Sequence, residues 1–148
     1  MLKKYFLQLE VREEEVKYNA PSSKITSPED VFKMLSAINI AKSDREHFLC
    51  IYLDVKGKIT GYEEVAVGGV SSCFVEPRTV FRGALLTGAS AVIVAHNHPS
   101  GDLTPSTEDI DITDKLKEAG KILGIPVVDH VIVSREGYLS IKEEIMVF

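Results

Sequence analysis

Apolar residues recur along this chain with two different periods. Val31, Met34, Leu35 and Ile38 repeat at helical spacing behind Ser27-Pro28-Glu29-Asp30. A serine able to cap, a proline at the first helical position and acids in the first turn predict a helix from Ser27 to about Ile38. Pro77 to Thr87 reads as a second helix, with Val80, Ala84 and Leu85 periodic and Gly88 as its stop. A third is expected from Ser106 to Ala119, where Ile110, Leu116 and Ala119 are apolar and Gly120 stands near the end.

The other period is that of strands. His47 to Val55 and Lys58 to Val67 flank the turn at Lys56-Gly57 as a hairpin. Ser90 to Ala95 is short and almost wholly apolar, the pattern of a strand buried on both faces. Pro126 to Val133 and Tyr138 to Ile141 close the chain as strands around Glu136-Gly137. Helices inserted between strands predict an α/β three-layer or α+β domain. Ahead of it, Met1 to Tyr18 alternates in part, with Tyr5, Leu7, Leu9 and Val11 on one side, and the loop Asn19 to Ser27 follows. The chain therefore divides into an extended arm over 1–24 and one domain over 25–148, a usual size for a single core.

Charge narrows the partners. The 17 Lys and Arg against 22 Asp and Glu give a net charge of −5, which argues against a general nucleic-acid binder and leaves room only for a local basic strip. No apolar run approaches the ~18–20 residues needed to cross a bilayer. Cys50 and Cys73 both lie in apolar stretches, and no signal-peptide pattern opens the chain. A cytoplasmic, reducing setting is expected.

Chemistry concentrates in Val92-Ile-Val-Ala-His96-Asn97-His98-Pro99-Ser-Gly-Asp-Leu-Thr-Pro-Ser106-Thr-Glu-Asp109. Side chains at i and i+2 of an extended chain point the same way, so His96 and His98 can share one ion. Pro99 cannot continue pairing in a central strand, and Ser100-Gly101-Asp102 turns the chain. The next helix puts Asp109 at its third position, close to the imidazoles if the loop folds back. Two neutral histidines and a carboxylate leave a fourth tetrahedral position for water, the layout of a catalytic metal site and not a structural one. Such an ion lowers the pKa of water toward ~7 and polarises a carbonyl. Ser106 is placed to donate to a developing oxyanion.

The spacing His96-Asn97-His98-Pro99, six residues, then Ser106-Thr107-Glu108-Asp109 resembles the JAMM signature of the JAB/MPN metalloprotease superfamily. More narrowly, the phrases AHNHPSGD, TPSTEDI and AGKILGI between Ala95 and Ile125 resemble the RadC family, with the likeness reaching from roughly Ile25 to Ile141. That resemblance implies the MPN fold over 25–148, a mixed sheet flanked by helices and related in shape to the cytidine deaminases. It implies zinc on His96, His98 and Asp109, hydrolysis of a peptide or isopeptide bond, and a glutamate base near the start of an early strand. Glu46, some fifty residues before His96, occupies that kind of place. The family name carries a DNA-repair association.

Blander roles compete for the same residues. Asp109 and Ser106 also fit a capping box, in which an acid favours a helix N-terminus by ~0.3–1 kcal/mol. Glu63 and Glu64 lie on a strand and compete with Glu46 for the base. His130, among apolar strand residues, reads as a core histidine or as a partner of a ligand. Asp102 reads as a turn residue and Cys73 as a small buried hydrophobe. The letters His-Asn-His do not make an HNH nuclease, which spreads its residues over a ββα unit. The deaminase pattern with a later Pro-Cys-x-x-Cys has no counterpart here. The leading expectation is a zinc metallohydrolase with a protein or peptide substrate. The second is metal-dependent nuclease action or an accessory role on DNA, using Arg78, Arg82, Lys115, Lys117 and Lys121. The third is a non-catalytic MPN scaffold.

Overall fold

The computed structural model describes residues 1–6, 8, 10–15, 24–68 and 74–148. Along the chain lie α1 (Pro28–Ala37), β1 (His47–Leu53), β2 (Ile59–Val67), α2 (Pro77–Thr87), β3 (Ala91–Asn97), α3 (Thr107–Leu123), β4 (Val127–Ser134), β5 (Gly137–Ser140) and α4 (Ile141–Glu144). The described residues before Lys24 are exposed and join no helix or strand. Leu7, Leu9, most of the loop expected from Asn19, and Cys73 lie outside the described residues.

The strands form one mixed sheet in the order β2-β1-β3-β4-β5. β1 runs antiparallel to β2 and to β3, β3 is parallel to β4, and β4 is antiparallel to β5. Because β3 and β4 are parallel, their connection must cross the sheet, and α3 is that crossover. Helices cover both faces, as the alternation of elements predicts.

Strand alternation assigns each side chain to a face. Leu49, Ile51 and Leu53 of β1 join Ile93, Ala95, Val131 and Val133 against Val31, Met34 and Leu35 of α1. On the opposite face Phe48, Cys50, Tyr52, Val92, Val94 and Val127 pack with Val80, Phe81 and Ala84 of α2 and Leu116 of α3. A central strand buried on both sides reads as a continuous apolar run, which is why β3 shows almost no polar residue before His96.

Strand ends differ from the sequence expectation by one or two residues, and four differences bear on the packing. β3 continues through His96 and Asn97, since Phe48 of β1 and Ile132 and Val133 of β4 pair with them. α3 runs past Gly120 to Leu123, and Gly124 ends it in the left-handed conformation at φ 70°. Gly120 is there for close approach: an added Cβ would stand 2.5 Å from the Ile125 carbonyl oxygen and 3.1 Å from the Phe81 ring. In α2 the buried stripe is Val80, Phe81, Gly83 and Ala84, and Leu85 is 55% exposed. Gly83, where a Cβ would collide with the Tyr52 hydroxyl, centres that stripe on the sheet and turns Leu85 outward. Finally, Ile141 opens the short helix α4 behind a Ser140 cap instead of ending a strand. Among the described residues, no helix is long and apolar enough to cross a membrane.

Candidate metal centre

The carboxyl end of β3 carries the site. The sheet ladder continues beyond the strand through the His98 N–H, which donates to the Val133 carbonyl at 2.8 Å. His96 and His98 therefore stay on one face. Pro99 has no N–H to offer, and the Gly101 N–H, at φ 89°, closes the turn on the His98 carbonyl at 3.0 Å. The loop then folds back, and α3 presents Asp109 at its third position.

The three side chains meet. The two Nε2 atoms of His96 and His98 are 2.9 Å apart, His96 Nε2 lies 3.2 Å from Asp109 Oδ1, and His98 Nε2 lies 3.2 Å from Asp109 Oδ2. Donors bonded to tetrahedral zinc at ~2.0–2.1 Å are separated from one another by roughly 3.3 Å. The spacings found are close to that without any rearrangement. His98 Nδ1 is 2.7 Å from the Asp102 carbonyl, which can only accept, so in the neutral ring the proton sits on Nδ1 and Nε2 offers a lone pair. A nitrogen lone pair and a carboxylate aimed at one point need a cation between them. His96, His98 and Asp109 thus form a donor set that fits a divalent ion.

Electrostatics keeps Asp109 in ligand form. Burial would raise its carboxyl, but the His96 and His98 imidazoles against its two oxygens outweigh that and hold it well below the usual carboxylate range. For His98, burial works downward, while the Asp109 hydrogen bond and the Asp102 carbonyl raise it on balance. Asp109 also fulfils the competing role: its Oδ2 accepts the Ser106 N–H at 2.8 Å, and Ser106 Oγ accepts the Asp109 N–H at 3.1 Å. The capping box and the His96–His98–Asp109 cluster coexist. Capping uses a lone pair of the Ser106 hydroxyl and leaves its proton free to donate.

Beside the cluster opens a groove of about 870 Å³ lined by Glu46, Phe48, His98, Ser106 and Asp109, among others. Glu46 immediately precedes β1, where the Phe48–His96 pairing brings that end of β1 alongside the histidines. The competing glutamates are not among the residues lining the groove. Glu63 accepts the Tyr52 hydroxyl at 2.9 Å, and Glu64 pairs with His47 Nδ1 at 2.9 Å. Asp102 is a turn residue as expected, its Oδ1 accepting the Thr104 N–H at 2.9 Å. His130 is fully buried beside His96, with its Nε2 2.8 Å from His96 Nδ1, and burial pushes its pKa well below the usual imidazole range. It adds no fourth donor to the cluster.

Two residues escaped the sequence reading. Asn97, buried between His96 and His98 in sequence, points to the opposite face. Its Oδ1 accepts the His47 N–H at 2.7 Å and its Nδ2 donates to the Arg45 carbonyl at 2.7 Å, gripping the backbone on both sides of Glu46. The available signal was an amide in an otherwise apolar strand face, since a buried amide demands partners. Thr113, one helical turn after Asp109, is fully buried and bonded to His130.

Comparison with known proteins gives a consistent picture. A family model described as a RadC-like JAB domain matches residues 25–146. A UPF0758 protein of Methanosarcina mazei is 44% identical over 124 residues, 84% of this chain and 54% of that protein. One of Syntrophomonas wolfei is 48% identical over 121 residues, 80% of this chain and 52% of that protein. One of Methanococcoides burtonii is 44% identical over 133 residues, 90% of this chain and 58% of that protein. The chain spans a little over half the length of these relatives.

Proposed function

Because the chain belongs to the RadC-like JAB domain family, we propose that it is a zinc-dependent hydrolase of peptide or isopeptide bonds, holding its ion on His96, His98 and Asp109. One observation carries the reading: three donors stand at coordinating distances beside a groove that also holds a carboxylate and a hydroxyl. A divalent ion bound there supplies Lewis acidity, polarising a substrate carbonyl and making water acidic enough to attack near neutral pH. The Glu46 carboxylate takes the proton of the attacking water and returns it to the leaving amine as the C–N bond breaks. The Ser106 hydroxyl donates to the carbonyl oxygen as it gains charge. Phe48, Phe74, Val75 and Ile112 give the groove an apolar wall for side chains next to the scissile bond.

Charge favours a polypeptide over a phosphodiester. Among the described residues lining the groove are Glu46, Asp102, Glu108, Asp109 and Asp111 against Lys115 alone, so it stays net negative even with a divalent ion. A nucleic acid would bring its phosphates into that field. Three of the four remaining basic residues of the alternative reading are engaged elsewhere: Arg78 pairs with Glu76, Arg82 with Glu63, and Lys117 donates to the Val147 carbonyl.

The test is a proteome-derived peptide library and a pool of oligonucleotides, each incubated with the zinc-loaded protein and read by mass spectrometry. Peptide cleavage that a chelator stops is expected. Glu46→Gln is expected to lower it by roughly 10²–10⁴-fold, the usual worth of a positioned acid-base group, with zinc content unchanged. Cleavage confined to oligonucleotides would overturn the peptide reading, and full activity in Glu46→Gln would remove Glu46 from the base role.

A further inference from the structure

His98 receives its metal-ready tautomer from one backbone carbonyl, but His96 has no such partner. In the middle of a sheet the strand carbonyls point sideways into the ladder and not toward the face on which a side chain lies. The ring of His96 must therefore find a side-chain acceptor on a neighbouring strand, and His130 of β4 stands there. We infer that His130 and Thr113 fix the proton of His96 on Nδ1, so that the metal-free protein already turns a bare Nε2 toward Asp109 and His98. The inference rests on the metal reading above.

The direction of the line follows from what each group can do. Thr113 Oγ1 lies 2.5 Å from the Asp109 carbonyl oxygen and 2.5 Å from His130 Nδ1. A hydroxyl has one proton, and a carbonyl can only accept it. With that proton committed to Asp109, Thr113 Oγ1 accepts from His130 Nδ1–H. His130 Nε2 then carries a lone pair and accepts from His96 Nδ1–H across 2.8 Å. Nothing is left on His96 Nε2. The opposite direction would put a proton there, where the ion must bind. His96, Thr113 and His130 are all fully buried, so no solvent competes for these bonds. The line also ends on the residue whose carboxylate is the third ligand, tying the first turns of α3 to β3.

His130 and Thr113 are thus positioning residues, and their removal separates tautomer from coordination. In the ¹⁵N-labelled, metal-free protein, ring-nitrogen shifts should report His96 protonated on Nδ1. Thr113→Val removes the hydroxyl with little change of shape. It should shift His96 toward the Nε2–H form and weaken zinc binding by roughly 10–100-fold, as loss of a partner behind a metal ligand typically does. His130→Phe, which keeps a ring but no acceptor, should do the same. His130→Gln, whose amide oxygen can accept and whose NH₂ can donate, should restore binding to within about threefold of the parent, a margin inside that partner effect. The cobalt(II) spectrum should show unchanged coordination in all three. Parent-like zinc affinity and an unaltered His96 tautomer in both Thr113→Val and His130→Phe would overturn the inference. A parent that binds no zinc while keeping the Nδ1 proton would overturn the metal reading and leave the hydrogen-bond line standing.

Discussion

The two faces of the sheet are built from the same strands by different rules. On the α1 side, Leu49, Ile51, Ile93, Ala95, Val131 and Val133 form an aliphatic cluster, where shape and volume decide the packing. The α2–α3 side begins the same way, with Val92 and Val94, but ends in imidazoles: Phe48 stacks on His96 at 5.7 Å between ring centroids, and His130 meets the same ring edge-on at 5.4 Å. There each buried nitrogen needs a partner and a direction. Among the described residues, no buried side-chain polar atom lacks one. One face supplies stability that many sequences would supply, and the other supplies a geometry that few would.

The sharpest way to separate the faces is to damage the aliphatic one. Leu35 of α1 is fully buried, and Leu35→Ala should cost about 2–5 kcal/mol in urea unfolding of the metal-free protein, the usual range for a cavity of that size. Zinc bound per folded molecule should not change. A loss of zinc with the fold intact would break the comparison.

Asn97 is a polar exception on the α1 side. Asn97→Ala strands the His47 N–H and the Arg45 carbonyl, each costing about 1–3 kcal/mol if left unsatisfied. Hydrogen exchange at His47 should accelerate, and peptide turnover should fall through a displaced Glu46 while zinc affinity stays at the parent value. Turnover and zinc affinity falling together would show that Asn97 supports the ligands instead of the base.

At the edge of the polar face, Ser106→Ala should remove the α3 cap at about 0.5–2 kcal/mol, and Ser106→Gly only a few tenths. If Ser106 also serves the oxyanion, both variants should lose turnover alike despite their different stabilities. Activity that follows stability instead would leave it a cap only.

The smallest effect is expected at Cys50, which lies on the α2–α3 side but belongs to its apolar part. Burial, with a contribution from Glu63, pushes its thiol up to about 12. Iodoacetamide at pH 8 should leave Cys50 unlabelled in the native protein and label it in urea, as peptide mapping would show. Native labelling would mean that this face opens where the packing indicates it is closed.

Local rules determined much of this protein from the sequence alone. The Ser27-Pro28 helix start, the Lys56-Gly57 hairpin, the two-residue spacing of His96 and His98, and the place of Asp109 in the first turn of α3 depend on neighbours within a few residues. Dihedral preferences, strand alternation and capping act at that range. Glu46, Asn97, Thr113 and His130 were beyond it. Glu46 comes beside the histidines only because β1 pairs with β3 at Phe48 and His96, and His130 stands behind His96 only because α3 carries β4 to the other edge of β3. Register between distant strands is set by the whole core as it packs. The partners of His96 therefore belong to the tertiary structure, while the His96, His98 and Asp109 donor set was already written in one short stretch of chain.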